Sequence, residues 1–185
     1  MPAYFTRRGD DGTTGVLGEG RLAKFDVRVE ACGAVDEASA ALGLARALSV
    51  SPEASAALLL VQRDLYRLMA ELAATPENAE RFRSIDAAQV ALLETEIERL
   101  GSKTEAPQGF ILPGDSLAGA ALALARTIVR RAERQVARLA AERGLANQLL
   151  LAYLNRLSSL CFVLELWENR AAGVAQATRA KGGQP

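Results

Sequence analysis

From Ser116 to Arg143 the chain runs without a proline and with a single glycine, Gly119, between a good N-cap residue and Gly144. This stretch reads as one helix of roughly 40 Å at 1.5 Å per residue, with Asp115 or Ser116 as its cap. Leu117, Ala121, Leu124 and Ile128 mark its apolar stripe, while Arg126, Arg130, Glu133 and Arg134 recur three and four residues apart and share another face. Three guanidiniums within just over two turns repel one another unless an anion lies among them. Either Glu133 neutralises Arg130 on a solvated face, or an anionic ligand completes the cluster.

Four further helices follow from periodicity and punctuation. The first, residues 27–48, is read from Val29, Cys32, Val35, Leu42 and Ala45, with Asp36 and Glu37 set in its middle. The second, 52–74, begins at Pro52 after Ser51 and ends before Thr75-Pro76-Glu77-Asn78. The third starts from a capping box of Asp86 and Gln89, with Ile85 and Val90 as a staple, and stops at Gly101. The fifth spans 146–171, and Asn155 in its middle is a poor helix former with no cap to make there. A loop from 101 to 114, long for a compact helical domain, carries Phe110-Ile111-Leu112. The expectation is an all-α, up-and-down five-helix bundle over residues 1–172, opening with an irregular, partly extended N-terminal nucleotide-binding arm and followed by a disordered tail, 173–185.

Composition narrows the chemistry. Histidine is absent from the 185 residues, which removes His triads, His metal ligands and the two Glu-x-x-His motifs of a di-iron bundle. The 22 basic residues, only three of them Lys, balance 22 acidic ones, so no overall field gathers nucleic acid or an anionic membrane, and cationic chemistry is local. Cys32 and Cys161 fall in apolar helical stretches as core thiols. The N-terminus lacks the apolar run of a signal peptide, which points to the cytoplasm.

The arm is the second chemical feature. Thr6-Arg7-Arg8-Gly9-Asp10-Asp11-Gly12-Thr13-Thr14-Gly15 crowds glycines and threonines together, and Lys24 follows. Backbone amides, hydroxyls and fixed positive charge suit a triphosphate, though no Walker P-loop spacing occurs; a plain surface loop is the other reading.

Taken together, T-R-R-G-D-D-G-T-T-G, R-V-E-A-C-G-A-V-D-E, F-I-L-P-G, A-R-T-I-V-R-R-A-E-R and Y-L-N-R-L-S resemble the signature blocks of the PduO-type ATP:cob(I)alamin adenosyltransferases, in that family's order, from about Tyr4 to Asn169. The resemblance implies a homotrimer of five-helix bundles that transfers the 5'-deoxyadenosyl group of ATP to the cobalt of a reduced corrinoid, with both substrates bound between subunits and Mg2+ accompanying the triphosphate. No protein ligand to a metal is implied. It implies ATP contacts at Thr6, Arg7, Arg8, Gly9, Thr13, Thr14, Lys24, Arg130, Arg131, Glu133, Arg134 and Asn155. It further implies an Asp36–Arg126 ion pair beside the corrinoid and Phe110 over the lower face of the cobalt. A reductase and an adenosylcobalamin-dependent client enzyme are the partners it suggests. Ala38, Ser39, Asp115, Ala123 and Ser159 depart from the family's usual residues. They keep open a second reading, a non-catalytic ATP-binding bundle with a regulatory or carrier role.

Overall fold

The structure, a computed structural model, describes residues 4–181; the first three residues and the end of the expected tail, 182–185, lie outside it. Its long helices are α1 (Val27–Leu48), α2 (Pro52–Ala73), α4 (Ala87–Gly101), α5 (Leu117–Arg143) and α6 (Leu149–Ala171), with a single-turn α3 (Ala79–Phe82) after a 3-10 turn at Pro76–Asn78. The caps explain the starts. Asp26 accepts from the Arg28 amide, Ser51 from Ala54, and Ser116 from Gly119, while Asp86 and Gln89 exchange hydrogen bonds as a capping box.

α5 lies between α1 and α6; α2 packs on α1, α4 on α6, and α2 also touches α6. The interior is mostly Leu, Ala and Val, with Tyr153 the largest fully buried side chain. Two buried carboxylates tie the connections to the bundle. Glu168 accepts from the Val50 amide at 3.0 Å and the Ser51 amide at 3.3 Å, holding the α1–α2 turn, and Glu71 accepts from the Ser84 amide at 3.1 Å and from Asn147 Nδ2 at 2.7 Å. α6 is apolar and long enough to cross a membrane by length and composition, but half of its most apolar window is buried within the bundle, against α5 and α4.

Three expectations are corrected. α6 starts at Leu149 and not at 146, because the buried Asn147 side chain bonds Glu71, the Ile85 carbonyl at 2.7 Å and the Leu149 amide at 3.1 Å, and so ends the loop instead of entering the helix. The stripe of α5 is rotated. Leu117 and Leu124 are 78% and 52% exposed, whereas Ala118, Ala121, Leu122, Ala125 and Val129 face the core. The first turns of α5 are apolar nearly all round, so packing decides the face: a Cβ at Gly119 would meet Asn169 Oδ1 at 2.1 Å, and this close approach of α6 sets the rotation.

The arm is irregular and partly extended, as expected. Strands β1 (Thr13–Gly15) and β2 (Arg21–Ala23) form a short antiparallel hairpin, and Leu17 pairs with the end of α2 through Ala73 and Thr75. The tail is ordered where it was expected to be loose. The Leu112 amide donates to the Thr178 carbonyl and the Ala180 amide to the Phe110 carbonyl, both at 2.8 Å, so residues 178–180 lie along the 110–112 loop.

Candidate functional site

The arm presents its donors to solvent. Arg7, with φ 61°, is the one non-glycine residue at positive φ among the described residues, a conformation that costs on the order of 1 kcal/mol or more, and its guanidinium lies 5.4 Å from the Phe5 ring. The turn that follows closes on Lys24, whose Nζ would lie 3.2 Å from a Cβ at Gly9, a tight approach that glycine relieves. Thr13 donates through both its amide and its hydroxyl to Asp11, and this pair of bonds, the hydroxyl's foremost, with Arg21 nearby, holds the Asp11 carboxyl below its usual range. Arg21, not foreseen from the sequence, fastens the hairpin by donating from Nε to Thr13 Oγ1 at 2.7 Å and from its outer nitrogen to the Arg8 and Thr13 carbonyls. Thr14 pairs with Leu22 across the hairpin, and Thr6 receives the Arg8 amide at 3.4 Å.

The face of α5 departs from the solvated alternative. Glu133 does not neutralise Arg130; it accepts from Asn155 Nδ2 on α6 at 3.0 Å. Arg156 donates to Asn155 Oδ1 at 2.8 Å and to Glu94 of α4 at 2.8 Å, so the mid-helix Asn155 is held from both sides. Arg130 and Arg134 are exposed and, among the described residues, make no ion pair or hydrogen bond. Arg131 is committed to Glu37 of α1. Glu94 carries no sequence signal, since its role exists only across helices, whereas Arg156 lies within the Y-L-N-R-L-S block.

The Asp36–Arg126 ion pair is absent within this chain. Asp36 is exposed on α1, and its neighbour Glu37 takes Arg131 instead. Arg126 turns into the α5–α6 seam, where its Nε is enclosed without an acceptor and its charge acts on Cys161 and Glu165. Burial pushes the Cys161 thiol up to about 12 and the Cys32 thiol up to about 11, with Arg126 and Arg28 respectively opposing. Phe110 is 90% exposed, which excludes a plug in the bundle's end. Beside its loop, a cleft of about 510 Å³ opens between residues 104–108, the end of α6 and the tail, lined by Gln108, Asn169, Arg170 and Arg179 among others.

Phe110 and the base of the arm lie toward opposite ends of α5. Arg143, in the last turn of α5, bonds Asp26 at the base of the arm at 3.1 Å, whereas Phe110 precedes the opposite end of that helix, roughly 40 Å away at 1.5 Å per residue. Among the described residues, no hydrogen bond or ion pair joins 6–24 to 126–134.

Residues 4–168 match the family model for cobalamin adenosyltransferase. The corrinoid adenosyltransferase PduO of Salmonella typhimurium is 37% identical over 96% of this chain and 53% of its own length, and the cobalamin adenosyltransferase of Cupriavidus metallidurans 41% identical over 91% and 89%. The chain thus spans about half the length of the PduO relatives it matches. Among solved structures, a phenylalanine-to-alanine variant of the PduO-type ATP:corrinoid adenosyltransferase from Lactobacillus reuteri, complexed with cobalamin and ATP, superposes with a TM-score of 0.89 at 33% identity, covering 97% of this chain and all of that one.

Proposed function

This chain belongs to the cobalamin adenosyltransferase family, and we propose that it transfers the 5'-deoxyadenosyl group of ATP to the cobalt of a reduced corrinoid, releasing triphosphate. The observation that carries this reading is the pair of exposed, unpartnered guanidiniums of Arg130 and Arg134, set beside the braced Glu133–Asn155 contact. Two like charges four residues apart on a helix face repel by about 0.2–0.5 kcal/mol, a cost that a bound anion would reverse.

The reduced cobalt of the substrate is the nucleophile, so the chain need supply neither nucleophile nor general base. The bond formed joins cobalt to C5' of ATP. The bond broken is C5'–O, and its electron pair leaves with the triphosphate. Arg130 and Arg134 with Lys24, Arg7, Arg8 and the hydroxyls of Thr6, Thr13 and Thr14 would stabilise that developing anion, with Gly9 letting the backbone come close. Mg2+ binds through one or two carboxylates plus phosphates in such sites. Among the described residues no group of three or more metal-binding side chains is assembled, so the triphosphate itself would supply most of the ion's ligands.

Because no hydrogen bond or ion pair joins the arm to the arginine face among the described residues, each site would form between neighbouring subunits of a homotrimer, with Asp36 of one chain meeting Arg126 of the next. The exposed Phe110 would exclude axial ligands from the lower face of the cobalt and so ease its reduction by a separate reductase, with the product passing to an adenosylcobalamin-dependent enzyme in the cytoplasm. A purely ATP-binding bundle would leave an exposed aromatic on a strapped loop without a task. The deciding experiment mixes purified protein, Mg-ATP and chemically reduced cob(I)alamin without oxygen; adenosylcobalamin is the expected product, and its absence with ATP still bound would leave only the nucleotide-binding reading.

A further inference from the structure

The α5–α6 seam holds an acid and a base that the mechanism above does not connect. Glu165 lies in the apolar run L-E-L-W of α6 and is 2% exposed, yet no hydrogen-bond donor reaches it among the described residues. Arg126 on α5 has its Nε enclosed with no acceptor. Glu165 is a buried charge and Arg126 a half-buried one, and burial favours an opposite charge nearby.

The register of the seam aims them at each other. Ser116 Oγ meets Asn169 Oδ1 at 2.7 Å at one end, and Asn155 Nδ2 meets Glu133 Oε1 at 3.0 Å at the other, which fixes the antiparallel pairing. Counted from the first of these contacts, Arg126 and Glu165 are offset by about 9 Å along the axis at 1.5 Å per residue. Helical side chains lean toward the N-terminus of their own helix, so in an antiparallel pair these two lean together. Glu133 and Asn155 close an offset of about 4.5 Å in the same sense. Burial raises the Glu165 carboxyl, and Arg126 is the group that opposes that rise, while Asp115 adds to it. No ion pair within 4.0 Å joins Arg126 and Glu165 among the described residues, so any coupling between the two charges acts at longer range.

We propose that Glu165 is the positioning residue for Arg126: a buried carboxylate of the same chain that holds the guanidinium at the α5–α6 seam and turns its outer N–H groups toward the corrinoid face. The pairing stands on the seam alone; only its functional half rests on the corrinoid reading of Arg126.

A double-mutant cycle tests both halves. Arg126→Met strands the Glu165 charge and lowers the denaturant midpoint. Glu165→Gln added to that variant raises it again, although Glu165→Gln alone lowers it in the wild-type background. Losses that simply add would overturn the pairing, whatever the protein's activity. In turnover, Glu165→Gln raises the KM for cob(I)alamin severalfold with the KM for ATP unchanged, and has no further effect once residue 126 is Met. Equal changes in both KM values, or the same change in both backgrounds, would overturn the positioning role. Should the wild-type protein fail to turn over a corrinoid at all, the functional reading falls while the denaturation cycle still judges the pair.

Discussion

Asp115 accepts two hydrogen bonds from Thr178, one from the amide at 3.0 Å and one from the hydroxyl at 2.6 Å, and through them the tail is strapped to the loop that carries Phe110. Asp115, one of the five residues that depart from the usual pattern, therefore has a local task. The Thr178 hydroxyl, then its amide, hold the Asp115 carboxyl below the ordinary value of 3.8. A carboxyl lowered in the folded state contributes above its unfolded value and loses that contribution as pH falls through the folded one. The strap should thus hold from neutral pH down to about 3.8 and loosen below it. Hydrogen exchange at the Thr178 and Ala180 amides should quicken in Asp115→Ala at neutral pH, with the bundle unchanged; equal protection in both proteins would show that the backbone pairing alone holds the tail.

Arg130→Ala removes an exposed side chain with no partner among the described residues, so stability should change by no more than about 0.5 kcal/mol. Turnover should fall about 100-fold, or ~3 kcal/mol, as for the loss of one preorganised donor to a developing anion. Near-normal rates at saturating ATP would remove Arg130 from the triphosphate site.

If Asp36 of one subunit meets Arg126 of the next, two inactive proteins should complement each other. Asp36→Asn chains still carry Arg126, and Arg126→Met chains still carry Asp36. Co-refolded, they should regain part of the wild-type rate, because some interfaces then hold both native residues. No recovery in demonstrably mixed oligomers would place the pair elsewhere.

The two thiols should be inert. Burial raises Cys32 to about 11 and Cys161 to about 12, so both remain protonated at pH 8; Cys161 is buried outright and Cys32 half-buried. A disulfide-exchange reagent should find no reactive thiol in the native protein and two in denaturant. Rapid reaction of Cys32 in the native state would mean that α1 and α2 open there.

What could be read in the sequence was local. Asp26, Ser51, Asp86 with Gln89, and Ser116 announce helix starts because a cap acts within three residues, and the arginine face of α5 follows from spacing alone. The misses are tertiary. Asn147 stops α6 from starting early through contacts to Glu71 and Ile85, far away in sequence. Arg21, Arg156, Glu94 and Glu165 matter only through what they face across the fold. The blocks identified Asp36 and Arg126, but a subunit-level fold does not bring them together, since Glu37 engages Arg131 and Arg126 turns inward.

Phe110 separates a packing role from a functional one most sharply. Its ring is 90% exposed, so Phe110→Ala forfeits almost no buried area, and the ~3 to 5 kcal/mol cost of a core aromatic truncation does not apply. Its backbone carbonyl still receives the Ala180 amide at 2.8 Å, so the loop should keep its place without the ring. ATP binding should persist, because the arm and the arginine face lie elsewhere along α5. What should fail is the step before transfer. With the ring gone, water or the corrinoid's own base reaches the lower face of the cobalt, stabilises Co(II) and makes the electron harder to add. The same variant given Co(II) with a reductant should therefore lose most of its rate, while chemically prepared Co(I) should restore much of it. Equal fractional losses in the two assays, or a melting temperature that drops in step with activity, would make Phe110 a packing residue after all.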